Sequence, residues 1–177
     1  LNIDGSGINN ITTGIPFFDH MLEQISKQGL FDINLKCIGD LEVDSHHTVE
    51  DVGICLGKAF KEAMGNKKGI KRFGQSLLPM DDCLCLCAID FSGRGYLVMD
   101  VNLDNLSIGA FQTECVYDFL YSFAINAGLN LQFKMFNGKN NHHKIESMFK
   151  AFARSLREAC ELDSRTKEIP STKGVLK

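Results

Sequence analysis

Two segments of the chain, His46-His47-Thr48-Val49-Glu50 and His142-His143-Lys144-Ile145-Glu146, share the pattern HHxxE and use four of its five histidines. Imidazole and carboxylate at this spacing are metal-ligand chemistry. On a helix the first His and the Glu are four apart and the second His and the Glu three apart, so each pair shares a face. Adjacent histidines diverge by about 100° around a helix axis, and one ion rarely takes both. Each pair therefore feeds two ions, and each ion draws on both segments. The fifth histidine, His20 in Phe17-Phe18-Asp19-His20-Met21-Leu22, would alone read as a core residue. Beside two HHxxE elements it reads as a further ligand. A donor set of imidazole and carboxylate without thiolate suits zinc, manganese, iron or nickel. Three residues per ion and an open position would make a catalytic site, a closed set a structural one.

These side chains need helices to carry them. Both HH pairs open stretches that align with one another, HHTVEDVGICLGKAFKEAM and HHKIESMFKAFARSLREAC, and Ile145, Met148, Phe149, Phe152 and Leu156 recur at helical spacing. The first of these helices stops near Gly65-Asn66. Upstream of each pair lies another helical stretch, about residues 17–28 and about residues 114–127. Strands follow at about residues 31–38 and 129–136, and two more are expected at residues 83–91 and 96–102, around the turn Ser92-Gly93-Arg94-Gly95. Leu1–Gly5 reads as the middle of a strand. Each half thus has a sheet with one open face and two helices to cover it, an α/β layer arrangement of one domain built from two repeats, about 1–90 and about 91–177.

Composition excludes several function classes. A net charge of -3 leaves no electrostatic footprint for nucleic acid or an anionic membrane, and no apolar run is long enough to span a bilayer. Seven cysteines without a CxxC pair read as reduced, buried thiols of a cytoplasmic protein, with Cys83, Cys85 and Cys87 on one face of a strand. Arg72, Arg94 and Pro170-Ser171-Thr172-Lys173-Gly174 could together bind a phosphate, although each alone is an ordinary surface or tail feature.

The segments TGIPFFDHMLEQ, GDLEVDSHHTVED, LPMDD, DFSGR, GKNNHHKIESMFKAFARSLREA and PSTKGVL resemble, in order and spacing, the imidazoleglycerol-phosphate dehydratase family, and the resemblance covers nearly the whole chain. It implies two repeats of the ribosomal protein S5 domain 2-like kind, with a helix bundle between two four-stranded sheets. It implies a hydro-lyase of histidine biosynthesis that converts imidazole glycerol phosphate to imidazole acetol phosphate. It further implies a 24-subunit cage with active sites between subunits, each holding two Mn²⁺ ions. By position the ligands would be His20, His46, His47, Glu50, Asp118, His142, His143 and Glu146, with Glu50 and Glu146 the carboxylates that act in catalysis. Gln24, Arg72, Arg94, Lys150, Ser171, Thr172 and Lys173 would bind the substrate and its phosphate.

The chemistry asked of the metals is clear. The departing proton and hydroxyl sit on neighbouring carbons with no carbonyl to activate them, so the imidazole ring must take up the electrons. Three features depart from the family pattern. Asp118 stands where many members have His, Gln28 and Gln132 stand where His is common, and a leading strand with an Arg-Thr-x-Glu-Thr-like segment has no counterpart in the sequence. A dinuclear metallohydrolase fits the ligand types alone, and a weakened homologue acting as a metal-stabilised oligomeric binding protein fits the resemblance. The presence of Arg72, Arg94 and Lys150 favours the enzyme.

Overall fold

The computed structural model describes residues 1–176. Its first part runs β1 (Asn9–Thr12), α1 (Pro16–Gly29), β2 (Ile33–Lys36) and α2 (His46–Ala63). The hairpin β3 (Phe73–Met80) and β4 (Cys83–Asp90) follows, then β5 (Tyr96–Asp100) and a small hairpin, β6 (Ser107–Ile108) with β7 (Phe111–Gln112). The chain closes with α3 (Cys115–Ala127), β8 (Asn130–Asn137) and α4 (Asn141–Cys160). Two βαβ units stand out: β1 and β2 pair in parallel around α1, and β5 and β8 pair in parallel around α3. Each is followed by a helix that opens on an HH pair. The four expected helices are all present.

The helices form a layer in which α1 packs on α4 and α2 on α3. On one side α4 lies over β3 and β4, and α3 over β5; on the other, α1 lies over β1. The α2–α3 contact is unusually close because Gly53 and Gly57 face α3. A Cβ at either position would stand 2.7 Å from a backbone carbonyl oxygen, of Phe119 and Phe123 respectively. Aromatic rings fill the middle of the layer. Phe119 of α3 stacks on Phe149 of α4 at 5.4 Å between centroids, meets Phe18 of α1 edge-on at 5.4 Å and leans on Phe123 at 6.2 Å. All four are fully buried.

The α/β layering matches expectation, but the sheets are unequal. One has four strands in the order β3-β4-β8-β5, whereas β1 and β2 form a sheet of two. Residues 1–8 do not extend that smaller sheet. Leu1–Gly5, expected as strand, makes a single bridge from Asn2 to Asp32, and the Asp32 carboxylate accepts the backbone N–H of Ser6 and of Ile8. A side chain that takes up those donors holds the backbone in turns rather than in a ladder. Strand β3 was not foreseen, because Gly74 and Pro79 both argue against a strand; as an edge strand it tolerates the proline. Since β3 and β4 pair with β8's sheet, residues 73–90 go with the second half, not the first.

Cys83, Cys85 and Cys87 do line the buried face of β4, under α4, where Ser155 Oγ donates to the Cys87 carbonyl. Burial pushes the Cys85 thiol up to about 12. The seven cysteines are free, but Cys55 is exposed and Cys37 and Cys160 are half-buried, so burial does not extend to every thiol. No helix among the described residues is long and apolar enough to cross a membrane.

Candidate active site

The first turns of α2 and α4 carry the HH pairs, and local side chains set both starts. Asp44 Oδ1 accepts the His46 N–H at 2.8 Å, and Asn140 Oδ1 accepts the N–H of His142 at 2.8 Å and of His143 at 3.3 Å. These bonds satisfy donors that a helix start leaves free. The rings within each pair then diverge as helical geometry requires, with centroids 6.0 Å apart and near-perpendicular planes in both cases.

The first histidine of each pair lies against a helix of the other half, His46 against Asp118 of α3 and His142 against Phe17 of α1. Between α1 and α4, Glu146 is the centre: its carboxylate lies 3.2 Å from His142 Nε2, 3.7 Å from His20 Nε2 and 2.9 Å from Lys150 Nζ. Its side chain is only 10% exposed. Burial opposes the charge, but the Lys150 ammonium that donates to it, with His20 and His142 alongside, holds the carboxyl below its ordinary range. Between α2 and α3, His46 Nδ1 lies 3.3 Å from Asp118 Oδ2, and His46 Nε2 lies 3.8 Å from Glu50 Oε2. Burial pushes the Asp118 carboxyl up against the pull of His46, and Glu50 and Glu114 add to the rise. Cys115, one turn before Asp118, completes this group: ligand atoms of His46, Cys115 and Asp118 all lie within 4.8 Å of one another. Sequence reasoning assumed a set without thiolate and missed Cys115. Its only signal was the three-residue spacing to Asp118, hidden among seven cysteines.

The second histidine of each pair is gripped by an aspartate. Asp40 Oδ2 lies 2.9 Å from His47 Nδ1, and Asp82 Oδ1 lies 2.7 Å from His143 Nδ1. A carboxylate accepting from Nδ1–H favours the tautomer whose Nε2 lone pair can bind a metal, the arrangement common behind metal-binding histidines, although His143 Nε2 also lies 3.6 Å from Asp81. Both imidazoles are raised, chiefly by that hydrogen bond, and Asp82 is lowered by it together with the N–H of Lys139. In metal-free protein, Asp82→Asn is therefore expected to bring the His143 titration down toward the ordinary imidazole value. The ring-proton NMR titration of His143 reads this directly, and an unmoved curve would remove Asp82 from the role.

A second site lies elsewhere. Arg72, Arg94 and the Ser171-Thr172-Lys173 segment line one cavity of about 630 Å³, covered by the chain's final turn around Pro170. The tail is thus folded over the arginines. Arg72 is held in place: Nε and Nη2 donate to Asp90 at 2.7 and 3.1 Å, and Nη1 donates to the Pro170 carbonyl at 2.8 Å. Its backbone is left-handed, with φ of 72°, pinned by bonds from its own N–H to Ala159 and from the Phe91 N–H to its carbonyl. Such a residue stores of order 1–3 kcal/mol of strain, which is typical of functional positions. With Asp90 neutralising Arg72, Arg94 and Lys173 supply the cavity's surplus positive charge.

Lys150 and Gln24 do not reach this cavity within one protomer. Lys150 pairs with Glu146, and Gln24 sits half-buried on α1, one turn beyond His20. The separation is large. Arg72 is bonded to α4 at Ala159, and the helix from Glu146 to that point is roughly 20 Å long at about 1.5 Å per residue.

Imidazole and carboxylate clusters at two helix pairs are a donor set that divalent transition ions fit, with oxygen and nitrogen at both and sulfur at one. Comparison with known proteins gives this geometry its context. The family model described as imidazoleglycerol-phosphate dehydratase matches residues 13–156. The imidazoleglycerol-phosphate dehydratase of Acetivibrio thermocellus is 54% identical over 176 residues, spanning 99% of this chain and 90% of that protein. Its counterpart in Clostridium acetobutylicum is 53% identical over 174 residues, spanning 98% and 88%. Among solved structures, the dehydratase of Staphylococcus aureus superposes with a TM-score of 0.84 at 36% identity, covering 90% of this chain and 91% of that one. That of Pyrococcus furiosus, in complex with (S)-C348, gives 0.84 at 33% identity, covering 96% and 91%. The chain belongs to the imidazoleglycerol-phosphate dehydratase family.

Proposed function

We propose that the chain is a metal-dependent hydro-lyase of histidine biosynthesis that dehydrates imidazole glycerol phosphate to imidazole acetol phosphate, working in the cytoplasm with two Mn²⁺ ions per active site. The observation that carries this reading is that each cluster draws on both halves of the chain. His20 meets His142 and Glu146, and His46 and Glu50 meet Asp118. Such sharing is what two repeats, each a βαβ unit followed by an HH helix, produce when their helices interleave. His47 and His143, each held by an aspartate, Asp40 and Asp82, complete the ligand set from neighbouring subunits.

The reaction removes hydroxide from the carbon beside the ring and a proton from the next carbon, and the enol so formed tautomerises to the ketone. Ions held by these side chains would supply the Lewis acidity that lets the imidazole ring serve as the electron reservoir a neighbouring carbonyl provides in ordinary dehydrations. The chain's own groups do the rest. Glu146 and Glu50, one against Lys150 and one half-exposed, are the carboxylates placed to take or return a proton. Arg94 and Lys173 neutralise the phosphate, Ser171 and Thr172 donate to its oxygens, and Arg72, braced by Asp90, orients it with the guanidinium hydrogens left free. Lys150 and Gln24 contact the same substrate from another protomer. A three-carbon phosphate ester is far shorter than the path between cavity and clusters, which supports sites built between subunits of a 24-subunit cage.

Turnover of imidazole glycerol phosphate with added Mn²⁺ tests the proposal, and absence of product from metal-loaded protein would overturn it. In the same assay Arg94→Ala should raise KM roughly tenfold or more, with a smaller change in kcat, because it removes phosphate binding common to ground and transition states. Wild-type kinetics would take Arg94 out of the site.

A further inference from the structure

We infer that the two metal positions of this chain differ in chemistry: the one between α2 and α3 takes Cys115 as a thiolate ligand beside His46 and Asp118, which makes it favour zinc-type ions over Mn²⁺ more strongly than the other position does. The inference rests on the metal-dependent reading above and adds a ligand to it.

The arrangement comes from α3. Cys115 opens that helix and Asp118 lies one turn on, so the two side chains share a face, and α2 lays His46 against it. The three ligand atoms lie within 4.8 Å of one another. An ion held by nitrogen at about 2.0–2.1 Å and sulfur at about 2.3 Å is reached from there by small side-chain adjustments. Cys115 is fully buried among its neighbours, with Ser45 Oγ 3.6 Å from its sulfur. The thiol therefore faces the helix junction, not solvent.

The glycines of α2 make the junction tight. Gly53 and Gly57 bring the helices together, so His46, at the start of α2, cannot drift from α3. The other cluster has no sulfur: His20, His142 and Glu146 present nitrogen and oxygen only, with an ammonium beside them. Hard oxygen and imidazole donors suit manganese, whereas a thiolate favours zinc and other softer ions. On ligation the S–H bond breaks, a sulfur–metal bond forms and the proton passes to the buffer.

Metal-stripped protein reloaded with Co²⁺ tests this. Wild type is expected to show visible ligand-field bands together with near-ultraviolet thiolate-to-Co²⁺ charge transfer. Cys115→Ser should lose the charge-transfer band, keep bound Co²⁺, and lower the preference of that site for Zn²⁺ over Mn²⁺ roughly tenfold or more. X-ray absorption of Zn²⁺-loaded wild type should show a sulfur neighbour at about 2.3 Å, a readout that needs no variant to fold. Bound metal without the band and without the sulfur neighbour overturns the thiolate ligand and leaves the metal-dependent enzyme standing. A band that persists in Cys115→Ser belongs to another cysteine and overturns it as well. Protein that binds neither Co²⁺ nor Zn²⁺ overturns both readings.

Discussion

Glu146→Gln should lower turnover by roughly 10²–10³-fold and reduce the divalent metal bound per chain. Glutamine keeps the shape of the side chain and removes only its charge. That charge is shared among His142, His20 and Lys150 at a position with 10% exposure, so water cannot replace it. Without it the Lys150 ammonium faces the ion's position with nothing between them, and the repulsion acts in a poorly screened place. The loss of a proton-transfer group adds to the loss of the ion. Kinetics and elemental analysis on the same sample separate the two contributions. Turnover within about threefold of wild type would exclude Glu146 from both roles.

Phe119→Ala should destabilise the metal-free protein by about 3–5 kcal/mol, the usual loss for deleting a fully buried ring. Phe119 touches Phe18 of α1, Phe123 of its own helix and Phe149 of α4. It is thus the contact at which three of the four helices meet. In a chain of this size each kcal/mol is worth roughly 2–4 °C in Tm, so a fall of about 10 °C is expected in a thermal scan. If Mn²⁺ occupies the proposed sites it should recover part of the loss, since an ion that binds only the folded state stabilises that state by mass action. A Tm within about 2 °C of wild type would mean that the rings fill space without holding the helices.

The site was legible in the sequence to the extent that its chemistry lies in short segments. The HHxxE pairs announce their helices, and the divergence of neighbouring rings follows from helical geometry alone. His20 was reachable by elimination, because it was the only histidine left. Cys115, Asp40 and Asp82 were not. Asp82 meets His143 across 61 residues of chain, and no local pattern records that pairing. Asp40 lies seven residues before His47, in a loop with no helical period to point at it. The fold divides in the same way. Amphipathic helices and the alternating cysteines of β4 carry their period in the residues themselves. Strand β3 does not, because Gly74 and Pro79 obscure it and its place depends on pairing with β4. The short β1–β2 sheet is cut off where Asp32 accepts backbone donors from residues 6 and 8, an interaction across more than twenty residues.

The length of α4 has a genetic consequence. If Glu146 of one protomer and Arg94 of another serve the same substrate, a damaged chain does not spoil every site it enters in the same way. A cell carrying one gene copy inactivated at Glu146 and another inactivated by a disruptive change at Arg94, such as reversal of its charge, would make two proteins, each inactive alone. Mixed assemblies of the two would contain sites where an intact cluster from one product meets an intact cavity from the other. Such a cell would grow without histidine although neither allele supports growth, and the phenotype of an allele would depend on its companion.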